Sequence, residues 1–475
     1  MRKFLKFTAY TPGAQHRLFT AWQSAIYLLM LSVLLHACKK GMRSDQQGSN
    51  LFSAPSGLNH QDVNFNHVSA NMVLIWNNAA TVAVAQMAQF TGSGPLPPMP
   101  ESRIYAMVNV AMHDALNTID PEYKRYALTD PVKKSASPDA AVAQAAHDVI
   151  VGLLPPQTGY ADALLVNSLS TVSNGNEKTE GINIGKAAAL AMLAKRLNDG
   201  VATCQFSLPQ GTLPGEYRST APFDGPPFNG FMAVPGWGNI IPFSLLSGDA
   251  FRPEPPYPVN SQMYTTDYNE VKSLGKSNSI FRTPDQTQIA LFWRENAPRG
   301  WNRIARNLSI QHNFNAWETA RLLALLQMAE ADANIAALNA KYHFMYWRPI
   351  TAIHLGGSDD NNDTQGDPTW EVLAPPTPPV SDYPSNHAVN GGAAAELIEE
   401  YFHHDRISFS ASSSSLPNIT RSFNSLSEAE HENSLSRIYI GYHFRHAVEA
   451  GEKQGEKIGL YVYNHALQPN DVEEH

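Results

Sequence analysis

Eight stretches of this chain repeat apolar residues every third or fourth position and are rich in alanine: 70–90, 102–117, 140–154, 182–198, 284–306, 315–342, 388–402 and 438–463. That spacing puts the apolar side chains on one face of a helix, and alanine is the residue least costly to hold in one. No run alternates apolar and polar residues well enough to read as a strand. The pattern predicts a mostly α protein. At 475 residues the chain is long enough for one large core or two packed halves, since single cores stop growing near ~250–300 residues.

The segment from 205 to about 260 is the exception, dense in proline, glycine and aromatic residues. So long a connection without regular structure suggests either a lid or wall of a site, or a wrap over the helices. The first 43 residues carry seven basic side chains and no acidic ones, around an apolar stretch from about 19 to 35. This order predicts a signal peptide over 1–37, for export to a bacterial periplasm or cell envelope. Leu35-His36-Ala37-Cys38 is similar to a lipoprotein cleavage box, which would make Cys38 the lipidated first residue and a membrane anchor. An uncleaved anchor is the other reading, because ~17 apolar residues are near the lower limit for spanning. A Ser/Gly/Asn/Gln-rich stretch over 38–65 reads as a tether, with the body at 66–475.

Removing Arg2, Lys3, Lys6 and Arg17 with the leader would change the formal charge from −9 to −13. An acidic body argues against non-specific nucleic-acid binding. Any anion site in it needs its own cluster of positive charge. After Cys38 only Cys204 remains, so the body has no internal disulfide, and nothing around Cys204 suggests an activated thiolate.

Three short segments supply such a cluster: 341–349 (KYHFMYWRP), 384–387 (PSNH) and 436–443 (SRIYIGYH). Lys341 and Arg348, seven apart, would share a helix face, with Pro349 stopping the helix at Arg348. Ser385 is placed as the N-cap of the helix that follows, so residues 386 to 388 would offer free N–H groups to an anion. Arg437 and His443, six apart, lie on opposite faces of an unbroken helix. They can meet only if the chain bends between them, and Gly441 is the place for it. Together the three suit a tetrahedral or trigonal-bipyramidal oxyanion.

In this order, K-x6-RP, PS-x-H and SR-x5-H resemble the type 2 phosphatidic acid phosphatase and vanadium haloperoxidase superfamily. The flanks RIYAMVNVAMHDALN, WGNIIPF and FWRENAPRGWNRIAR are similar to its extracytoplasmic bacterial haloperoxidase-like branch. The resemblance covers about 66–467, with the core motifs in 341–447. It implies an all-α fold of two packed helical bundles. It also implies that Lys341, Arg348 and Arg437 hold the oxygens of vanadate or phosphate, with Ser385 and Asn386 as further donors. His443 would bind vanadium or attack phosphorus, and His387 would be the acid–base group. Two residues depart from the pattern: Asn386 stands where glycine is usual, and Ala447 where an aspartate four residues after the histidine is common.

Three functions follow. A vanadate-dependent haloperoxidase would use hydrogen peroxide and a halide, with Lys341 polarising bound peroxide and vanadium acting as a Lewis acid. A phosphatase would need no cofactor and would hydrolyse a phosphate ester through a phospho-histidine. A silent oxyanion-binding lipoprotein would do neither. The acidic stretch 358–366 has its glycine misplaced for an EF-hand and reads as a solvated loop. His113, Asp114, His343 and His354 fit no zinc spacing. Halide preference and oligomeric state are not encoded in these motifs.

Overall fold

A computed structural model describes residues 69–91 and 96–470 of the chain. The leader, Cys38 and the tether lie outside the described residues. Thirteen α-helices run through them: α1 (Asn71–Thr91), α2 (Pro98–Ile119), α3 (Pro138–Leu153), α4 (Thr158–Ser170), α5 (Asn176–Lys195), α6 (Gln262–Leu274), α7 (Pro284–Phe292), α8 (Ala297–Gln311), α9 (Ala316–Phe344), α10 (Pro349–Leu355), α11 (Asn386–Phe402), α12 (Leu426–Tyr439) and α13 (Arg445–His465). The mostly α expectation holds. A single antiparallel hairpin, β1 (Phe409–Ser412) with β2 (Thr420–Phe423), is the one sheet among the described residues. Its strands are four residues each, too short to leave an alternating signature in the sequence.

The centre is α9. Asn315 caps it with a reciprocal Glu318 capping box, and its side chains are buried nearly all the way from Ala316 to Lys341. One side of it packs on α2, which continues to α3 and α5; the other packs on α11, which lies against α13 and α12. Small residues allow the closest approaches. A Cβ on Gly185 of α5 would strike the Ala141 carbonyl and the Gln144 side chain of α3, and one on Gly455 of α13 would strike the Val389 carbonyl of α11. Helix backbones therefore nearly touch at both seams.

Two helix boundaries differ from the sequence reading. The stretch 284–306 is broken at 293–296 into α7 and α8. The helix through Lys341 ends at Phe344, where Met345 takes a left-handed conformation (φ 48°). Pro349 then starts a new helix with Arg348 as its N-cap, rather than stopping the old one. A proline's fixed φ suits the first position of a helix as well as the residue beyond its end. The bend expected at Gly441 is present (φ 89°), and it separates α12 from α13, so His443 sits on an extended connection between them.

The irregular segment after 205 is fastened rather than free. Tyr217 N–H donates to the Met345 carbonyl (2.7 Å), Trp347 N–H to that of Gly215 (2.9 Å) and Ala233 N–H to that of Pro379 (2.8 Å). The buried Asp332 carboxylate of α9 accepts from the amides of Phe243, Ser244 and Leu245. This segment is a wall against the 341–349 and 378–383 stretches. The acidic stretch also turns inward: Thr364 Oγ1 caps the buried Asp359, and Asn361 Nδ2 donates to the Val259 carbonyl. Most of the stretch is exposed, as its composition suggests, and Asp359, Asn361 and Thr364 anchor it to the body. Among the described residues, no helix is long and apolar enough to cross a membrane.

Candidate oxyanion site

Each motif arrives at the site from a different element end. Lys341 lies in the last turn of α9, 0% exposed, and its Nζ donates to the carbonyls of Ser381 (2.7 Å) and Asp382 (2.8 Å). Arg348 is buried at the start of α10. Its Nε donates to the Val380 carbonyl (2.7 Å) and its Nη1 to the Tyr442 carbonyl (3.0 Å), and Nη1 rests against the His443 ring, 2.9 Å from Nε2 and 3.4 Å from Nδ1. Arg437 in the last turn of α12 donates from Nη2 to the Trp293 carbonyl and from Nε to Ser436 Oγ.

Ser385 caps α11 as expected, its hydroxyl accepting from Ala388 N–H at 3.5 Å, and its own N–H is held by the Ala447 carbonyl at 2.7 Å. The amides of Asn386 and His387 fall in the first turn, where no helical carbonyl is in reach. The His387 ring lies beside the Asn433 side chain and the Trp293 carbonyl.

These residues share one electrostatic environment. His443 is held well below its ordinary pKa by burial first, then by Arg348, Lys341, Arg437 and His387. Lys341 is pushed well down by burial and then by Arg348. Arg437 is pushed down to about 10, mainly by burial. His387 is lowered by burial and then by Arg437. Three basic side chains are thus enclosed with Asp382 as the acid packed among them, and both imidazoles are neutral at pH 7. The net positive charge has no solvent to spread into, so an incoming anion is strongly favoured. The structure therefore brings Lys341, Arg348, His387, Arg437 and His443 into one environment, with Ser385 and Asn386 next to His387 at the start of α11.

Two residues that the sequence reading missed complete the site. Asp382, fully buried in the loop before α11, places Oδ1 2.9 Å from His443 Nδ1 and 3.9 Å from Arg348. Its carboxyl is raised by burial, against the opposing pull of Arg348 and Lys341. Asn334, two turns before Lys341 on α9, accepts from Asn386 Nδ2 at 2.9 Å and donates to Ser102 Oγ and Asn390 Oδ1. The Asn386 carboxamide is thereby fastened to α9. Neither role has a local sequence signal. His113 and Asp114 stand elsewhere: the Asp114 carboxylate accepts from the amides of Tyr126, Ala127 and Leu128, a structural task.

Residues 321–471 match the second helical-bundle domain of vanadium chloroperoxidase (VCPO). The vanadium chloroperoxidase of Curvularia inaequalis is 25% identical over 498 aligned positions, covering 79% of each chain. Among solved structures, the first bacterial vanadium-dependent iodoperoxidase superposes with a TM-score of 0.71 at 25% identity, over 87% of this chain and all of that one. A holo-type bacterial vanadium-dependent chloroperoxidase shares the fold, with a TM-score of 0.62 at 18% identity over 85% of this chain and 98% of that one. These likenesses support a place for the chain in the vanadium haloperoxidase and type 2 phosphatidic acid phosphatase superfamily, among the bacterial haloperoxidase-like enzymes.

Proposed function

We propose that this enzyme is a vanadate-dependent haloperoxidase that oxidises a halide with hydrogen peroxide. The observation that carries this reading is the enclosure of Lys341, Arg348 and Arg437 beside one carboxylate and a neutral imidazole. That donor set fits vanadate. The three cations, Ser385 Oγ and the first amides of α11 would hold its oxygens, and His443 Nε2 would ligate the vanadium. Bound vanadate supplies a Lewis acid that activates peroxide without itself changing oxidation state.

The chain's own residues do the rest. Lys341, with its ammonium desolvated, supplies positive charge where peroxide oxygen accumulates electrons. His387, neutral and next to Arg437, would take a proton from incoming peroxide and give it to the displaced hydroxide, which leaves as water. The overall change is halide, peroxide and one proton giving hypohalous acid and water. The wall over 205–260 narrows access. Export and anchoring through Cys38 would place this chemistry at the cell envelope, facing peroxide and halide outside the cytoplasm.

A second reading draws on the same histidine. A neutral imidazole with a carboxylate oxygen 2.9 Å from its Nδ1 can also serve as a nucleophile, so phosphoryl transfer to His443 is the competing reaction. Halogenation of a chromogenic acceptor with peroxide, with and without orthovanadate, decides between them when run beside hydrolysis of p-nitrophenyl phosphate. Vanadate-dependent halogenation that disappears in His443→Ala supports the haloperoxidase. Phosphate release inhibited by vanadate, with no halogenation, assigns a phosphatase. Orthovanadate binding with neither activity leaves a silent binder.

A further inference from the structure

Lys341, Arg348, Ser385, Arg437 and His443 are all buried, the most open of them only 5% exposed. Asn386 and His387 are half-buried, so the site meets solvent on their side. The break at 293–296, between α7 and α8, lies there. The Trp293 carbonyl accepts from Arg437 Nη2 at 2.8 Å and stands beside the His387 ring. The Trp293 indole is fixed by its Nε1, which donates to Glu432 Oε1 at 2.9 Å.

The next residue, Arg294, is exposed, and among the described residues its guanidinium has no hydrogen-bond or ion-pair partner. The acidic side chains of this neighbourhood are matched by other cations. Glu295 pairs with Arg303, while Glu432 and Asp285 both pair with Arg421, at 2.6 and 3.0 Å. Arg294 thus adds a free positive charge one residue from a carbonyl that holds the site. Its field reaches inward: burial lowers the Arg437 pKa most, and the Arg294 charge adds to that. The chain as a whole carries a formal charge of −9, so an approaching anion is repelled at long range. A free cation beside the opening reverses that sign locally.

We propose that Arg294 is an outer guide for small inorganic oxyanions, drawing them from solvent past His387 to the buried cations. The proposal rests on the oxyanion reading of the site and not on the halogenation chemistry. A guide of this kind changes how fast the anion arrives and leaves its final grip to Lys341, Arg348 and Arg437. One unit charge acting through solvent is worth a few-fold in rate at low salt, and the effect fades once salt screens it.

The test measures association of orthovanadate, and separately of inorganic phosphate, with the full chain by stopped-flow tryptophan fluorescence. Ionic strengths of ~0.01 M and ~0.15 M bracket the screening range. At the lower one, Arg294→Gln should slow association about 2–5-fold with the dissociation rate unchanged, and Arg294→Glu about tenfold. Arg294→Lys, which keeps the charge, should associate like the parent. Lys186→Gln makes the same charge change at an exposed position on α5 and should leave the rate alone. At the higher ionic strength the variants should converge.

A parental association rate in Arg294→Gln at low salt overturns the proposal. So does a loss carried by the dissociation rate, an Arg294→Lys protein as slow as Arg294→Gln, or an equal slowing in Lys186→Gln. If Arg294 governs the arrival of both anions while orthovanadate supports no halogenation, the guide stands and the haloperoxidase reading falls. If halogenation depends on vanadate while Arg294→Gln associates like the parent, the function stands and the guide falls. A parent that binds neither anion removes both.

Discussion

Replacing Gly441 by alanine should damage this protein out of proportion to one methyl group. Its φ of 89° lies in the region that L-residues avoid, and a Cβ there would sit 2.7 Å from the Gly275 carbonyl oxygen and 2.9 Å from the Trp370 ring. Left-handed backbone costs about 1–2 kcal/mol and overpacking about 1–3 kcal/mol, so the variant should lose about 2–5 kcal/mol. The obstacle on one side is backbone, which cannot rotate away. Gly275→Ala tests the same seam from the other side. Its φ is ordinary (−79°), but its Cβ would lie 2.5 Å from the Gly441 Cα, so it should lose only the packing part. Because the two clashes share one gap, the double variant should lose less than the sum of the singles. Urea unfolding reads this as lower midpoints with unchanged slope. The bend at Gly441 also sets where His443 points, so orthovanadate affinity should fall in Gly441→Ala more than in Gly275→Ala. A Gly441→Ala protein with the parent midpoint would refute the reasoning, as would strictly additive losses.

Three further outcomes are expected. Asn334→Ala should release the Asn386 carboxamide and lower orthovanadate affinity by about tenfold, a desolvated hydrogen bond's worth; Asn386→Gly added to it should restore binding, and isothermal titration checks both. On α11, α12 and α13, burial raises Glu430 well up, with Glu456, Glu452 and Glu396 adding to it, and Glu396 is pushed up to about 7. Groups raised in the folded state stabilise it fully below about pH 4.5 and lose that contribution as pH climbs through the folded pKa; thermal melts should therefore weaken from pH 5 to pH 8, and Glu430→Gln should flatten the decline. Growth with labelled palmitate should mark the protein, and Cys38→Ser should abolish the label.

The sequence made the site legible where chemistry is local. Ser385 reads as a cap because a hydroxyl before a helical run has one obvious task, and the bend at Gly441 follows because residues six apart cannot otherwise share a pocket. The break after Lys341 was hidden, since Met345 carries no signal for a left-handed residue, and Pro349 fits a helix start as well as a stop. Asp382 and Asn334 were hidden for a deeper reason. Each meets its partner only through the packing of elements far apart in the chain. The bulk of Asn386 is accommodated by a carboxamide on another helix.

The wall over 205–260 meets the site stretches largely through main-chain amides and carbonyls, from Gly215 to Ala233. Bonds of that kind do not depend on which side chains the wall carries. Its exposed residues, such as Leu213 and Leu246, are therefore open to replacement with little disturbance to Lys341, Arg348 or His443, whereas the buried Tyr217 beside Arg348 is not. Such an arrangement separates the part that performs the reaction from the part that chooses what enters, so selection can retune substrate preference by rewriting the wall alone.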